Sequence, residues 1–198
     1  MRIHGISRRR MGTDGHGVTD LVAMAGCPLS CEYCLNKRLL AEGNTTELTA
    51  ADLLDSVMQE ACYFVGTSGG VTFGGGEPLL QWEGILEFAA LKPDWMSLSI
   101  ETALQAPRAV VDALAQVVDL WIVDIKSLDP DVYRRYAHGD LSVALRNLEA
   151  LAKVRDKVLV RVPIIPGYKD EQAARAEAEA LTKMGFEKID IFPYVIRQ

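Results

Sequence analysis

The stretch Met96–Ile125 reads MSLSIETALQAPRAVVDALAQVVDLWIVDI. Two short apolar runs, Met96–Glu101 and Leu120–Ile125, flank a segment, Pro107–Val118, whose apolar residues fall on one helical face. Runs this short and this rich in Ile, Leu and Val suit strands buried on both faces. Strand, helix, strand is the unit that lays two strands parallel and joins them by a helical crossover.

The same alternation runs outward in both directions. Further strand candidates are Asp20–Ala25, Gly70–Phe73, Val158–Ile164 and Lys188–Phe192. Between them lie helical stretches: Thr49–Phe64, Leu80–Leu91, Leu141–Val154 and Asp170–Met184. Thr49 ahead of Asp52, Pro107, and Asp170 ahead of Glu171 mark helix starts. Thr49–Phe64 places Leu53, Leu54, Val57, Met58 and Ala61 on one face. Six such units are too few for a closed eight-fold barrel. The expected fold is α/β, an open partial (βα)6 barrel of parallel strands. One domain spans 1–198, with 1–19 as an N-terminal loop segment and 20–198 as the barrel core. Functional residues belong just after the C-terminal ends of the strands. Gln198 follows soon after the last strand candidate, so the barrel mouth is expected to stay open.

A length of 198 residues suits a single core. The formal net charge of −6 argues against general nucleic-acid binding, which wants a basic face. No signal peptide or apolar run of membrane-spanning length is visible, so a cytoplasmic location without a membrane partner is expected. Arg8, Arg9 and Arg10 form the one basic run; it reads as a solvated segment or as a docking element for an acidic partner.

Three of the four cysteines crowd into Gly26-Cys27-Pro28-Leu29-Ser30-Cys31-Glu32-Tyr33-Cys34. That bunching points to metal ligation rather than to a disulfide framework. Three thiolates can hold three irons of a cubane [4Fe–4S] cluster and leave one iron open for a chelating substrate. Structural zinc is the alternative; it needs a fourth ligand, from Cys62, His4, His16 or His138, none at a finger-like spacing. Unligated buried thiols are a third reading. Downstream, Val71-Thr72-Phe73-Gly74-Gly75-Gly76-Glu77-Pro78 ends a strand in a glycine loop. Alone it reads as a flexible turn, and it lacks the Gly-Lys-Ser/Thr ending of a phosphate-binding loop. Lys126 closes an apolar strand, where it either pairs with Asp124 or Asp129 at the rim or lines a site. Glu101 and Asp124 should lie close on neighbouring strand ends, which is costly unless positive charge lies between them.

The Cys-x3-Cys-x2-Cys spacing with Tyr33 before the last cysteine resembles the radical S-adenosylmethionine (SAM) superfamily motif, and Gly75-Gly76-Glu77-Pro78 resembles that family's Gly-Gly-Glu-Pro loop. Asp14-Gly15-His16-Gly17, Asp124-x-Lys126, Arg161, Pro166-Gly167 and Pro193-Tyr194 narrow the likeness to the activating enzymes of glycyl radical enzymes, such as those of pyruvate formate-lyase. The resemblance runs from about Ile6 to Tyr194. Some positions differ from the family pattern. Glu101-Thr102-Ala103-Leu104 stands for Asp-Thr-Asn-Gly. Leu35 stands for the His after the third cysteine, although Asn36 matches. Val195 stands for a His after Pro-Tyr, and His16 stands for Pro. No cysteine-rich insert for a second cluster follows the motif.

The resemblance implies reductive cleavage of SAM to methionine and a 5′-deoxyadenosyl radical, with an external flavodoxin or ferredoxin as electron donor. The radical takes hydrogen from a backbone glycine of a partner glycyl radical enzyme. The competing reading is a free-standing radical SAM enzyme acting on a small molecule or peptide, and a third is a non-catalytic iron–sulfur carrier. The implied site has Cys27, Cys31 and Cys34 as cluster ligands and Tyr33 beside the adenine. Gly75, Gly76 and Glu77 lie on the SAM amino group and Lys126 on its carboxylate. Asn36, Thr102, Arg161 and Tyr194 complete the cofactor pocket. A monovalent or divalent cation near Glu101 and Asp124 is a further expectation. Asp14 and Arg8–Arg10 are the expected exposed contacts for the partner.

Overall fold

Val18–Met24 (β2), Gly70–Gly74 (β4), Ser97–Thr102 (β5), Leu120–Asp124 (β6), Val158–Ile164 (β7) and Lys188–Pro193 (β8) form six neighbouring parallel strands in a computed structural model that describes residues 1–195. Each coincides with a strand candidate to within two residues at either end. Two antiparallel strands, Arg2–Met11 (β1) and Thr46–Glu47 (β3), extend one side, and the sheet runs β3-β1-β2-β4-β5-β6-β7-β8. The sheet is open, with β3 and β8 at its edges. Gln198 lies outside the described residues.

The segment 1–19, expected to be a loop, is therefore mostly strand. Its sequence hides this because β1 is polar, with Ile3 its only buried residue. Backbone pairing with β2 and β3 holds it, and charge adds to that. Arg8 pairs with Asp20 at 3.3 Å and with Glu60 at 3.9 Å, and donates to Ser56 Oγ at 2.9 Å. Arg9 pairs with Glu60 at 3.7 Å and lies over the Tyr63 ring, and Arg10 pairs with Asp14. The basic run is thus spent within the chain. Asp14 is only 4% exposed, and its carbonyl accepts from the Thr72 hydroxyl inside the sheet. Asp14 is therefore not the exposed docking contact expected of it, and each arginine has an acidic partner within the chain, although the Arg9 side chain stays 58% exposed.

The helices are Lys37–Glu42 (α1), Ala50–Met58 (α2), Ala61–Thr67 (α3), Trp82–Leu91 (α4), Arg108–Leu114 (α5), Pro130–Ala137 (α6), Leu141–Leu151 (α7) and Glu171–Lys183 (α8). Thr49 and Asp52 close a reciprocal capping box at the start of α2. Asp170 caps α8 through the Ala173 N–H. The expected helix Thr49–Phe64 is two: the chain tightens at Glu60, whose carboxylate pairs with Arg8 and Arg9. α6 lies outside the helical stretches expected from periodicity, although Asp129-Pro130 carries both start signals, a capping carboxylate and a proline in the first turn.

The main core lies between the strands and the outer helices. Val22, Phe73, Ile100, Val123 and Val160 of the sheet meet Phe88, Val111, Leu148 and Leu181 of the helices. Phe73 and Phe88 pack edge to face at 5.3 Å and are fully buried, each contributing about 1.5–3 kcal/mol. A second, smaller cluster of Leu29, Tyr133, Tyr136, Ala137, Leu141 and Ile165 lies beneath the cysteine segment. On the other face of the sheet, Gly74, Glu101 and Asp124 near the ends of their strands cluster with Arg161 from the middle of β7.

Candidate active site

The chain leaves β2 at Gly26, whose positive φ of 86° lets the backbone turn sharply into the cysteine segment. This segment has almost no regular structure, so its neighbours hold it. The Ser30 and Glu32 N–H groups donate to the carbonyls of Ala137 and Tyr136 on α6. Tyr194, just past β8, donates its hydroxyl to the Tyr33 carbonyl at 2.6 Å. The Tyr33 ring joins Tyr136, Tyr168 and Tyr194 at 5.9–6.5 Å between centroids. Tyr33 is thus a packing and backbone anchor; its ring does not line the cavity beside the cysteines.

That cavity, about 160 Å³, opens at the C-terminal strand ends. Cys27, Cys31 and Cys34 line one wall, all with free thiols. Burial pushes the Cys27 thiol up to about 11 and raises Cys31 as well, with Lys126 pulling Cys31 the other way. Burial prevails even with Lys126 beside Cys31, so the wall fits ligands that ionise on binding a cationic cluster. Among the described residues no group of three or more His, Cys, Asp or Glu side chains is arranged to hold a single metal ion.

The glycine loop forms the adjoining wall. Gly75 has φ of 85°, and a Cβ at Gly76 would collide with the carbonyl oxygens of Met24 and Gly26. The loop therefore lies directly against the start of the cysteine segment, with Glu77 N–H donating to Gly26 O at 2.8 Å. Asn36 ties the two from the other side, its amide donating to Gly75 O at 2.8 Å. Glu77, read as a partner for the SAM ammonium, is 1% exposed and already committed. It accepts from the Thr102 hydroxyl at 2.6 Å, Ala103 N–H at 3.0 Å and Leu79 N–H at 3.3 Å. Burial raises its pKa, and these donors oppose the shift. Thr102, also buried, bridges Glu77 to the Leu104 N–H. Both residues fasten the glycine loop to the end of β5.

Four charged residues make the third wall. Lys126 donates to Asp124 at 2.8 Å, and Asp129, its other candidate partner, instead caps α6. Arg161 donates to Glu101 at 2.6 Å and lies 3.6 Å from Asp124, with Phe192 beneath its guanidinium at 4.7 Å. The positive charge required between Glu101 and Asp124 is thus supplied by the chain itself. Burial, then Asp124, pushes Glu101 up to about 7, with Arg161 opposing. Burial would raise Asp124 too, but Lys126 and Arg161 outweigh it and hold it low. Burial would lower Lys126; Asp124 outweighs it, and the ammonium stays charged. Asp124 Oδ1 is buried without a hydrogen-bond partner.

The cavity therefore gathers Cys27, Cys31, Cys34, Asn36, Gly75, Gly76, Glu77, Glu101, Thr102, Asp124, Lys126, Arg161 and Tyr194, leaving out Tyr33. It also gathers Leu35, Tyr136 and Phe192, which sequence reasoning missed. The Asp129-Pro130 helix start could have placed Tyr136, the end of the sixth strand candidate marks Phe192, and Leu35 directly follows Cys34.

Comparison with known proteins supplies the remaining observations. The sequence pattern of the radical SAM superfamily matches residues 21–179. The pyruvate formate-lyase 1-activating enzyme of Escherichia coli K12 is 31% identical over 98% of this chain and 80% of its own. The pyruvate formate-lyase-activating enzyme of Clostridium pasteurianum is 32% identical over 98% and 82%. Among solved structures, a domain of pyruvate-formate lyase-activating enzyme from Bacteroides vulgatus superposes with a TM-score of 0.56 at 30% identity. It covers 64% of this chain and 81% of that one. Streptococcus suis SuiB bound to S-adenosylmethionine shares the fold, with a TM-score of 0.67 at 16% identity over 86% of this chain and 39% of that one.

Proposed function

We propose that this chain, which belongs to the radical SAM superfamily, is an activating enzyme that abstracts hydrogen from a backbone glycine of a partner glycyl radical enzyme. The family implies one [4Fe–4S] cluster and SAM, and the three-cysteine wall fits such a cluster. When bound, the pair supplies a 5′-deoxyadenosyl radical, chemistry that belongs to the cofactor. The protein's part is to hold and shield. Cys27, Cys31 and Cys34 ligate the cluster. Gly75 and Gly76 let backbone approach the methionine moiety, while Glu77, Thr102 and Asn36 hold that loop in place. Lys126 takes the SAM carboxylate, and Arg161 and Tyr194 complete the pocket. The observation that carries this reading is the meeting of the three cysteines, the glycine loop and Lys126 in one cavity. A mere electron carrier needs no such glycine loop.

An external flavodoxin or ferredoxin is the proposed donor. A groove on the outer side of the cysteine segment, lined by Cys31, Cys34, Glu32, Lys37 and His138, offers it an approach to the ligands. A monovalent or divalent cation remains a proposal for Asp124 Oδ1, a buried oxygen without a hydrogen-bond partner, and it would have to compete with Arg161. Rising SAM affinity on adding Na⁺, K⁺ or Mg²⁺ to desalted protein supports that ion; unchanged affinity removes it. Free thiols suit a cytoplasmic location.

The test mixes anaerobically reconstituted, reduced protein and SAM with a glycyl radical enzyme. A doublet glycyl-radical signal in electron paramagnetic resonance is expected. A silent spectrum, with 5′-deoxyadenosine formation stimulated instead by a small molecule or peptide, would favour the free-standing enzyme.

A further inference from the structure

On the far side of the Lys126 turn from the cavity lies a buried carboxylate with three partners. Glu177 belongs to α8, three residues after Ala174 and four before Leu181, both fully buried. It therefore falls on the apolar stripe of its helix, with only 11% of its side chain exposed. Its Oε1 accepts from the Ser127 hydroxyl at 2.6 Å and from the Leu128 N–H at 2.7 Å. Its Oε2 accepts from Lys169 Nζ at 2.6 Å, and the Lys169 side chain is only 2% exposed.

We infer that Glu177 is a positioning residue for Lys126: it fixes the turn that follows Lys126 and fastens that turn to the loop after β7. Ser127 and Leu128 are the two residues immediately after Lys126, so their bonds to Glu177 set how Lys126 leaves β6. The Ser127 oxygen also accepts from the Asp129 N–H at 3.0 Å, and Asp129 caps α6, which carries Tyr136 into the cavity. Lys169 and Ile165 exchange backbone hydrogen bonds at 2.8 Å, closing the loop that presents Tyr168 to Tyr33 and Tyr136. One carboxylate thus joins the lysine side of the cavity to the support beneath its cysteine side. A buried ion pair alone is weak evidence for stability, since an apolar pair of like volume often serves as well. The two bonds into the Lys126 turn are what such a pair could not supply.

This inference rests on Lys126 holding the SAM carboxylate, and the variants separate the two ideas. SAM affinity and cluster content are measured on reconstituted protein, with amide exchange at Leu128 as a reading that needs no ligand. The double variant Lys169→Met/Glu177→Gln removes the ion pair but keeps an amide oxygen for Ser127 and Leu128; its SAM affinity should stay within about twofold of wild type. Lys169→Met/Glu177→Leu removes the acceptor as well; it should weaken SAM binding about tenfold at full cluster content and expose the Leu128 amide to exchange. Ser127→Ala, the smallest change, should weaken SAM binding about threefold. Equal losses in the Gln and Leu double variants would reduce Glu177 to half of an ion pair and overturn the inference. Full SAM affinity in Ser127→Ala would overturn it even if the Leu variant fails to fold. If Lys126→Ala weakens binding while the Ser127 and Leu variants do not, only the positioning idea fails; if Lys126→Ala binds SAM normally, both fail.

Discussion

The cysteine wall of the cavity hangs on a segment with little regular structure, whereas the charged wall stands on the ends of β5 and β6 and the middle of β7. The segment of Cys27, Cys31 and Cys34 is held by backbone hydrogen bonds that it donates to α6 carbonyls, by Asn36 and by a cluster of tyrosines. Glu101, Asp124 and Arg161 are placed by strand register, and their interactions are with one another. The first wall has few internal bonds and depends on what it will bind. The second is nearly balanced in charge before anything binds. A cavity of this kind divides its work: one side is completed by a cofactor, and the other is preorganised to receive it.

The largest effect should come from the cysteines. Replacing Cys27, Cys31 or Cys34 with Ala should abolish the cluster, seen as loss of bound iron and of iron–sulfur absorbance, while Cys62→Ala should retain both. Stoichiometric zinc without iron–sulfur absorbance after reconstitution would remove the contrast between the walls altogether. Next in size is Glu77→Ala, which leaves the buried Thr102 hydroxyl and Ala103 N–H without an acceptor. It should cost about 2–3 kcal/mol in denaturant unfolding of the apoprotein. A loss below about 0.5 kcal/mol would mean that the loop does not need this fastening.

The charged wall should also show itself through pH. The folded protein holds the Glu101 carboxyl up to about 7, above its ordinary value of 4.5, so the native state binds the extra proton between those limits. Stability from this group is therefore greatest at the acid end and falls as pH rises from 4.5 to about 7. Glu101→Gln should flatten that slope in apoprotein melts, and an unchanged slope would assign it to another group. The smallest effect expected is that of Tyr194→Phe. Losing the bond to the Tyr33 carbonyl should cost about 1 kcal/mol and leave the melting curve of the charged wall's pH response unaltered. A larger loss would mean that the cysteine segment depends on that single hydroxyl more than on its contacts with α6.

Local patterns determined a good deal of this protein. Six parallel strands were legible because strands buried on both faces must be short and apolar, and the helices between them must carry one apolar stripe. The site's position was legible because cysteine, glycine and lysine motifs each follow a strand, and parallel strands deliver their C-terminal ends to one side of the sheet. Tertiary structure alone decided the rest. β1 pairs with β2 and β3, and its arginines find Asp20 and Glu60, partners that no local pattern announces. Glu77 and Thr102 face inward to each other across 25 positions of sequence, and Arg161 reaches Glu101 across 60. Tyr33 turns into a tyrosine cluster drawn from four separate elements or loops. Periodicity records which side of an element is buried. Which donor meets which acceptor depends on how separate elements come to rest against one another, and an unpaired charge in that interior is costly enough to make the pairing specific.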